Sequence, residues 1–212
     1  LSRKKVDREA QQQKILNKAR LLFAEKGVEN TNMDDIAAAF GYTRRTLYNY
    51  FRSREEVSLM ILIEDLSTRW GEQQKAIEKA ESGLAGIVIW GESLYDFTKR
   101  NPQSIRLQLF WDLKGIDKKN ISDDIFEKFE KLNNELADGL RRIFDTGVKD
   151  GSLRPDLQID ISISQYVYSL RNILNRAISS TYSFSSFDPD TYVNHFLDLF
   201  KRGIQNMGGN QS

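Results

Sequence analysis

Cysteine is missing from all 212 residues, so disulfides and thiolate metal sites are excluded, and a cytoplasmic setting is the plain expectation. Proline is scarce: Pro102, Pro155 and Pro189 are the only three, which leaves long stretches free to be helical. The single histidine, His195, falls in a helical stretch and reads as a packing or surface residue rather than a ligand. No phosphate-cradling glycine loop is present. No apolar run reaches the roughly 20 residues of a membrane span, and the opening Leu1-Ser2-Arg3-Lys4-Lys5 lacks the apolar core of a signal peptide. Together these absences argue against an enzyme and against a membrane partner. No catalytic residue, cofactor or metal is expected.

Charge is also nearly missing in sum, at +1, but not in distribution. Residues 1–54 hold 12 Lys/Arg against 6 Asp/Glu, a net of +6, while the remainder holds 19 against 24, a net of −5. A basic first quarter on a mildly acidic remainder suits a polyanion partner for the N-terminal part alone. An ordinary solvated basic face is the other reading of that asymmetry.

What is present is helical spacing throughout. Ile15, Leu16, Ala19, Leu22 and Phe23 form one face of a first helix that Gly27 ends. Met33, Ile36, Ala37 and Phe40 mark a short second helix, capped by Thr31 or Asn32, with Asp34 and Asp35 at the positive end of its dipole. Gly41 breaks the chain, and Thr43 caps a third helix expected to run to about Phe51. Ser53 and Glu56 read as a capping box for a fourth helix reaching about Lys79. Five more helices are expected, over about 84–99, from Pro102 to Gly115, from Ser122 to the turn Asp150-Gly151-Ser152-Leu153-Arg154-Pro155-Asp156, and over 159–180 and 190–206. Ile159 to Ser164 alternates like a strand, but Ile163, Val167, Leu170, Leu174 and Ala177 continue at helical spacing and override it. The acidic pair Asp123/Asp124 suits a helix start without any metal, and the tail from Gly208 is expected to fray.

Three short helices with a glycine turn between the second and third fit a helix-turn-helix. At about 100° per residue, Leu47, Tyr50 and Phe51 point inward, while Arg45, Tyr48, Asn49 and Arg52 point outward with Arg44 exposed in the first turn. Arginine can read guanine O6 and N7 together, and Asn49 can pair similarly with adenine. Thr43, Tyr48 and Tyr50 carry hydroxyls able to meet phosphate, although Tyr50 equally well completes a small core. Arg3, Lys4, Lys5 and Arg8 read either as a basic arm near the minor groove or as a disordered tail.

The stretch Thr31-Asn32-Met33-Asp34-Asp35-Ile36-Ala37, then Gly41-Tyr42-Thr43, then Thr46-Leu47-Tyr48-Asn49-Tyr50-Phe51-Arg52-Ser53-Arg54-Glu55, resembles the signature of the TetR family of bacterial transcriptional regulators. Phe23-Ala24-Glu25-Lys26-Gly27 agrees with it, and Gly147 to Leu157 resembles a turn that precedes the family's dimerisation helices. The resemblance implies an all-α fold: a helix-turn-helix domain over 1–53 and a larger helical ligand-binding and dimerisation domain over 54–212. It implies DNA contacts from Thr31, Asn32, Thr43, Arg44, Arg45, Thr46, Tyr48, Asn49, Tyr50 and Arg54, with phosphate the target of Thr43, Tyr48, Tyr50 and Arg54. Arg54 stands where the family usually has Lys, and Arg45 where it often has a small residue.

The expected partner is a palindromic double-stranded operator read by a homodimer. The expected dimer face uses Val167, Leu170, Leu174, Phe196, Leu199 and Phe200. The aromatics Trp70, Trp90, Phe97, Phe110, Trp111, Phe129 and Tyr166 are the candidate lining for a small apolar or aromatic effector, with an ordinary aromatic core as the alternative. The leading function is thus a ligand-released repressor. A helical binding protein or enzyme that keeps the scaffold without an operator is the alternative from another class, and an architectural DNA binder is a third.

Overall fold

The computed structural model describes residues 3–179 and 187–208, with side chains from Asp7 onward. The expected end of the eighth helix at 180 and the tail from Gly209 lie outside them. Among the described residues there are nine α-helices: α1 (Arg3–Lys26), α2 (Met33–Phe40), α3 (Arg44–Tyr48), α4 (Arg54–Ile77), α5 (Gly83–Arg100), α6 (Pro102–Lys114), α7 (Asp123–Lys149), α8 (Ile159–Ala177) and α9 (Pro189–Ile204). A short 3-10 turn, Lys118–Asn120, lies between α6 and α7. The strand-like alternation at 159–164 is indeed helix. The one extended pairing among the described residues is the isolated bridge of Leu153 with Gln205. No described helix is long and apolar enough to cross a membrane, and no described group of acidic or histidine side chains could hold a metal ion.

The chain forms two compact units. Unit one takes residues up to Leu66 together with Phe110–Leu132, and unit two takes Ser67–Leu109 together with the chain from Asn133. Helices α4, α6 and α7 therefore each supply residues to both.

In unit one, α1 packs on α2 and α2 on α3. Its core is Ile15, Leu16 and Ala19 from α1, Met33, Ile36 and Ala37 from α2, and Leu47 and Phe51, with Val57, Leu59, Ile61 and Leu62 of α4. The loop before α7 is tied into the same unit. Ser53 Oγ donates to the Asn120 carbonyl at 2.6 Å, and the Glu56 carboxylate, 2% exposed, accepts from the Ser122 N–H, the Ser122 hydroxyl and the Arg52 N–H. Ser53 Oγ also accepts from the Glu56 N–H at 2.9 Å, so half of the expected capping box forms and its acidic member reaches one residue further back.

Unit two is organised around Tyr166 on α8. Its buried ring stacks on Phe200 at 4.2 Å between centroids and lies 5.5 Å from Trp90, while its hydroxyl donates to the Ile87 carbonyl at 3.0 Å. Burial pushes the Tyr166 phenol far above its ordinary value. The turn read from Asp150-Gly151-Ser152 serves α5: Asp150 accepts from the Gly83 N–H at 2.8 Å and Ser152 Oγ from the Leu84 N–H at 3.1 Å. Two donors at the start of α5 are thereby satisfied, and hydrogen bonds from Ser152, then from the Gly83 N–H, hold the Asp150 carboxyl below the usual range.

Two outcomes follow. A Cβ on Gly83 would lie 2.1 Å from the Gly147 backbone nitrogen, an atom that cannot rotate away. Gly83→Ala should therefore cost unit two about 3 kcal/mol in urea unfolding, at the upper end of overpacking effects. Glu55 is pushed up by burial, but hydrogen bonds from Lys114 and Arg54 outweigh that and hold its carboxyl at about 2 instead of 4.5. A carboxyl lowered by folding stabilises the fold above its unfolded value and loses that contribution as pH falls through the folded one. Glu55→Gln should flatten the loss of stability between about pH 4.5 and 2, as followed by circular dichroism during urea unfolding across that range.

Candidate nucleic-acid interface

The reading segment is held by its caps. Asn32 caps α2 by accepting from the Asp35 N–H, while the Asp35 carboxylate accepts from the Asn32 N–H, both at 2.9 Å. Gly41 then adopts a left-handed φ of 73°, which allows α2 to stop and the chain to turn at once. Thr43 caps α3, its Oγ1 accepting from the Thr46 N–H at 3.2 Å. Helix α3 is shorter than its spacing suggested and ends at Tyr48. The Tyr50 and Phe51 N–H groups both return to the Leu47 carbonyl, at 2.9 and 3.1 Å, and this tight turn swings Phe51 into the core.

The outward face is polar and cationic. Thr43, Arg44, Arg45, Tyr48 and Asn49 are exposed, Tyr48 at 42%, with Thr46 half-buried beside them. Arg44 donates to Asp34 at 3.1 Å and to the Tyr48 hydroxyl at 3.2 Å, and lies 5.5 Å above the Tyr48 ring. The bond to Tyr48, followed by the charge of Asp34, raises the Arg44 pKa further. Arg45 makes no side-chain hydrogen bond or ion pair among the described residues. Nothing among the described residues competes for its fork of donors, which is the state a base-reading arginine needs.

Several site residues read from sequence are already engaged within the subunit. Thr31 is fully buried and its Oγ1 donates to the Gly27 carbonyl at 2.8 Å. Asn32 is exposed, but its amide oxygen is used by the cap. Tyr50 is half-buried, stacked on Tyr42 with Arg8 5.5 Å above its ring. Arg54, 24% exposed, donates to the Glu29 carbonyl at 2.8 Å, the Thr31 carbonyl at 3.0 Å and the Glu55 carboxylate. That guanidinium clasps the α1–α2 turn to the start of α4.

Two α1 side chains hold the far end of the reading helix: Arg8, read from sequence as part of a basic arm or tail but helical here, and Gln12, which sequence reasoning passed over. Arg8 donates to the Asn49 carbonyl at 2.7 Å and Gln12 to the Tyr50 carbonyl at 3.3 Å. Their spacing, four residues apart on one helical face, was the available signal. Arg3, Lys4 and Lys5 belong to α1 by backbone, and their side chains lie outside the described residues.

The aromatic set is divided between the two units. Trp70, Trp90, Phe97 and Tyr166 belong to unit two and are buried, with Trp90 and Tyr166 in direct contact. Phe110, Trp111 and Phe129 belong to unit one, Trp111 buried and the two phenylalanines half-buried. A cleft of about 260 Å³ in unit two is lined by Trp70, Ile77, Ile143 and Arg142, among others. Of the residues assigned to a dimer face, Leu170 and Leu174 are completely buried within the subunit, Val167, Phe196 and Phe200 are half-buried, and Leu199 is 55% exposed. Ile161 and Tyr168 of α8 are exposed apolar residues that the spacing argument did not single out.

Comparison with known proteins agrees with this geometry. Residues 15–59 match the model for bacterial regulatory proteins of the tetR family. The chain is 29% identical over 148 residues to the HTH-type transcriptional repressor KstR2 of Mycolicibacterium smegmatis, covering 69% of each chain. It is 24% identical over 190 residues to KstR2 of Rhodococcus jostii, covering 90% of this chain and 89% of that one. Among solved structures, the ketosteroid transcriptional regulator KstR2 of Mycobacterium tuberculosis superposes with a TM-score of 0.69 at 17% identity, covering 92% and 95% of the two chains. The regulator PfmR of Thermus thermophilus superposes with a TM-score of 0.66 at 24% identity, covering 89% and 97%. At these identities the structural likeness speaks to the fold.

Proposed function

The chain belongs to the TetR family of bacterial regulators, and on that premise we propose a transcriptional repressor that reads a palindromic operator as a homodimer and releases it when a small molecule binds. The observation that carries the DNA reading is the exposed face of α3, where Arg45 has no partner among the described residues and Arg44 and Tyr48 stand beside it. Within that face, Arg44, Arg45 and Asn49 are the base readers, while Thr43, Thr46 and Tyr48 meet phosphate. Thr31, Asn32, Tyr50 and Arg54 act by fixing the backbone that presents those groups. The reading function is assigned to residues 1–53 and the sensing and pairing functions to 54–212.

Dimerisation is assigned to α8 and α9. Leu199, Ile161 and Tyr168 supply exposed apolar surface there, with Val167, Phe196 and Phe200 half-buried, and Leu170 and Leu174 back that surface from inside the subunit. A two-fold pairing of one such surface with its copy matches a palindrome. The effector is assigned to the aromatic part of unit two, around Trp70, Trp90, Phe97 and Tyr166. The related repressor described as a ketosteroid regulator makes a rigid polycyclic apolar molecule the first class to screen. Helix α4 supplies residues to both units, so a ligand that favours one position of its second half biases the start of that helix, which follows the reading segment. Release is then a population shift between two arrangements.

Selection of bound sequences from a random duplex library at near-physiological salt tests this reading. We expect a palindromic winner. Arg45→Ala should weaken it by about thirtyfold or more, roughly the value of one bidentate base contact in each of the two half-sites, and relax the preference at one position per half-site. Tyr48→Ala should weaken all duplexes alike. If no sequence is enriched and binding stays weak, the operator reading falls in favour of a ligand-binding protein that keeps the scaffold.

A further inference from the structure

Beside the carboxyl end of α3, unit one contains a cleft of about 520 Å³. Tyr48, Asn49 and Arg52 line it from the reading segment, Arg8 from α1, and Lys128 from α7. Three cations thus converge from three separate stretches of the chain. Arg52 and Lys128 are exposed, and neither makes a side-chain hydrogen bond or ion pair among the described residues. Arg8 uses its guanidinium on an uncharged carbonyl, that of Asn49, and on the face of Tyr50.

Three carboxylates share the lining, and each is accounted for. Glu56 is buried and accepts from the Arg52 N–H, the Ser122 N–H and the Ser122 hydroxyl. Asp124 lies in the first turn of α7, where the helix's own positive end draws it. Glu9 is itself engaged. Against the exposed carboxylate of Asp124 stand the two unpaired cations Arg52 and Lys128, so the side-chain charge left without a partner among the described residues is net positive.

The geometry points to Arg52 and Lys128 as a clamp for the phosphate backbone of the DNA that α3 reads. The interface then extends to α7, some 75 residues beyond the helix-turn-helix. This rests on the DNA-binding reading above. Lysine is a compact point charge with three donors and no acceptor, suited to phosphate rather than to a base edge. Its contact carries no sequence information, so it adds affinity to every duplex in equal measure and releases condensed counterions as it does so.

The test uses the full chain, a labelled duplex carrying the selected sequence, a scrambled duplex, and a potassium chloride series. Lys128→Gln removes one contact from each protomer, so in the homodimer it should reduce the slope of log affinity against log salt by about 1.8, the value of two neutralised phosphates on duplex DNA. Arg52→Gln should do the same and the double variant about twice as much. The preference for the selected duplex over the scrambled one should stay unchanged, Lys128→Arg should restore the slope, and Lys149→Gln at the other end of α7 should leave it alone. An unchanged slope in Lys128→Gln, with Arg45→Ala still weakening binding, would overturn the clamp and leave the DNA reading standing. A native chain with no salt-dependent duplex binding would remove both. Tight binding of inorganic pyrophosphate without DNA, lost in Lys128→Gln, would give the cleft to a free phosphorylated compound and overturn its assignment to DNA.

Discussion

A helix of five residues cannot hold itself together in water, because nucleation costs more than so few hydrogen bonds return. Helix α3 is that short and α2 is only eight residues. Every property of the reading face therefore depends on what grips these helices from outside. Leu47 and Phe51 anchor α3 from beneath. Thr43 closes its amino end, and Arg8 and Gln12 of α1 take the carbonyls that follow its carboxyl end. The Arg52 N–H beyond them goes to the buried Glu56 carboxylate. With its ends held in this way, the segment leaves Arg45, Tyr48 and Asn49 exposed on its outward face.

That dependence explains which parts of the molecule were legible from sequence. Helical spacing, Gly41, the Asn32 and Thr43 caps and the Asp150 turn are local signals, and the structure contains each of them. The inward and outward division of α3 was also local, with Leu47 and Phe51 buried and Arg45 and Tyr48 exposed. The fate of Arg54 was not. Its donors are taken by the carbonyls of Glu29 and Thr31, more than twenty residues upstream, and no spacing rule around Arg54 announces them. Thr31 is similar: its place in a signature suggests a surface hydroxyl, yet the turn after Gly27 folds it under and supplies an acceptor.

Long-range pairing limits the larger divisions in the same way. The stretch Phe110–Leu132 joins unit one through partners more than fifty residues upstream, which no local spacing rule announces. A short set of bonds does the joining: Ser53 to Asn120, Ser122 to Glu56, and Lys114 to Glu55. The same assignment divides the large aromatics, with Phe110, Trp111 and Phe129 in unit one and Trp70, Trp90 and Tyr166 in unit two. Aromatic content along a sequence marks material for cores, and only the packing shows how many cores there are.

The division of the tryptophans gives the chain a set of built-in optical reporters. Its three indoles are all buried, Trp111 in unit one and Trp70 and Trp90 in unit two, and none lies between Leu1 and Leu66. Trp111 has its ring nitrogen buried, with no hydrogen-bond partner among the described residues, so its emission changes when the packing around it opens to water. Keeping Trp111 alone, or Trp70 and Trp90 alone, separates the luminescence of the two units without attaching a dye to either.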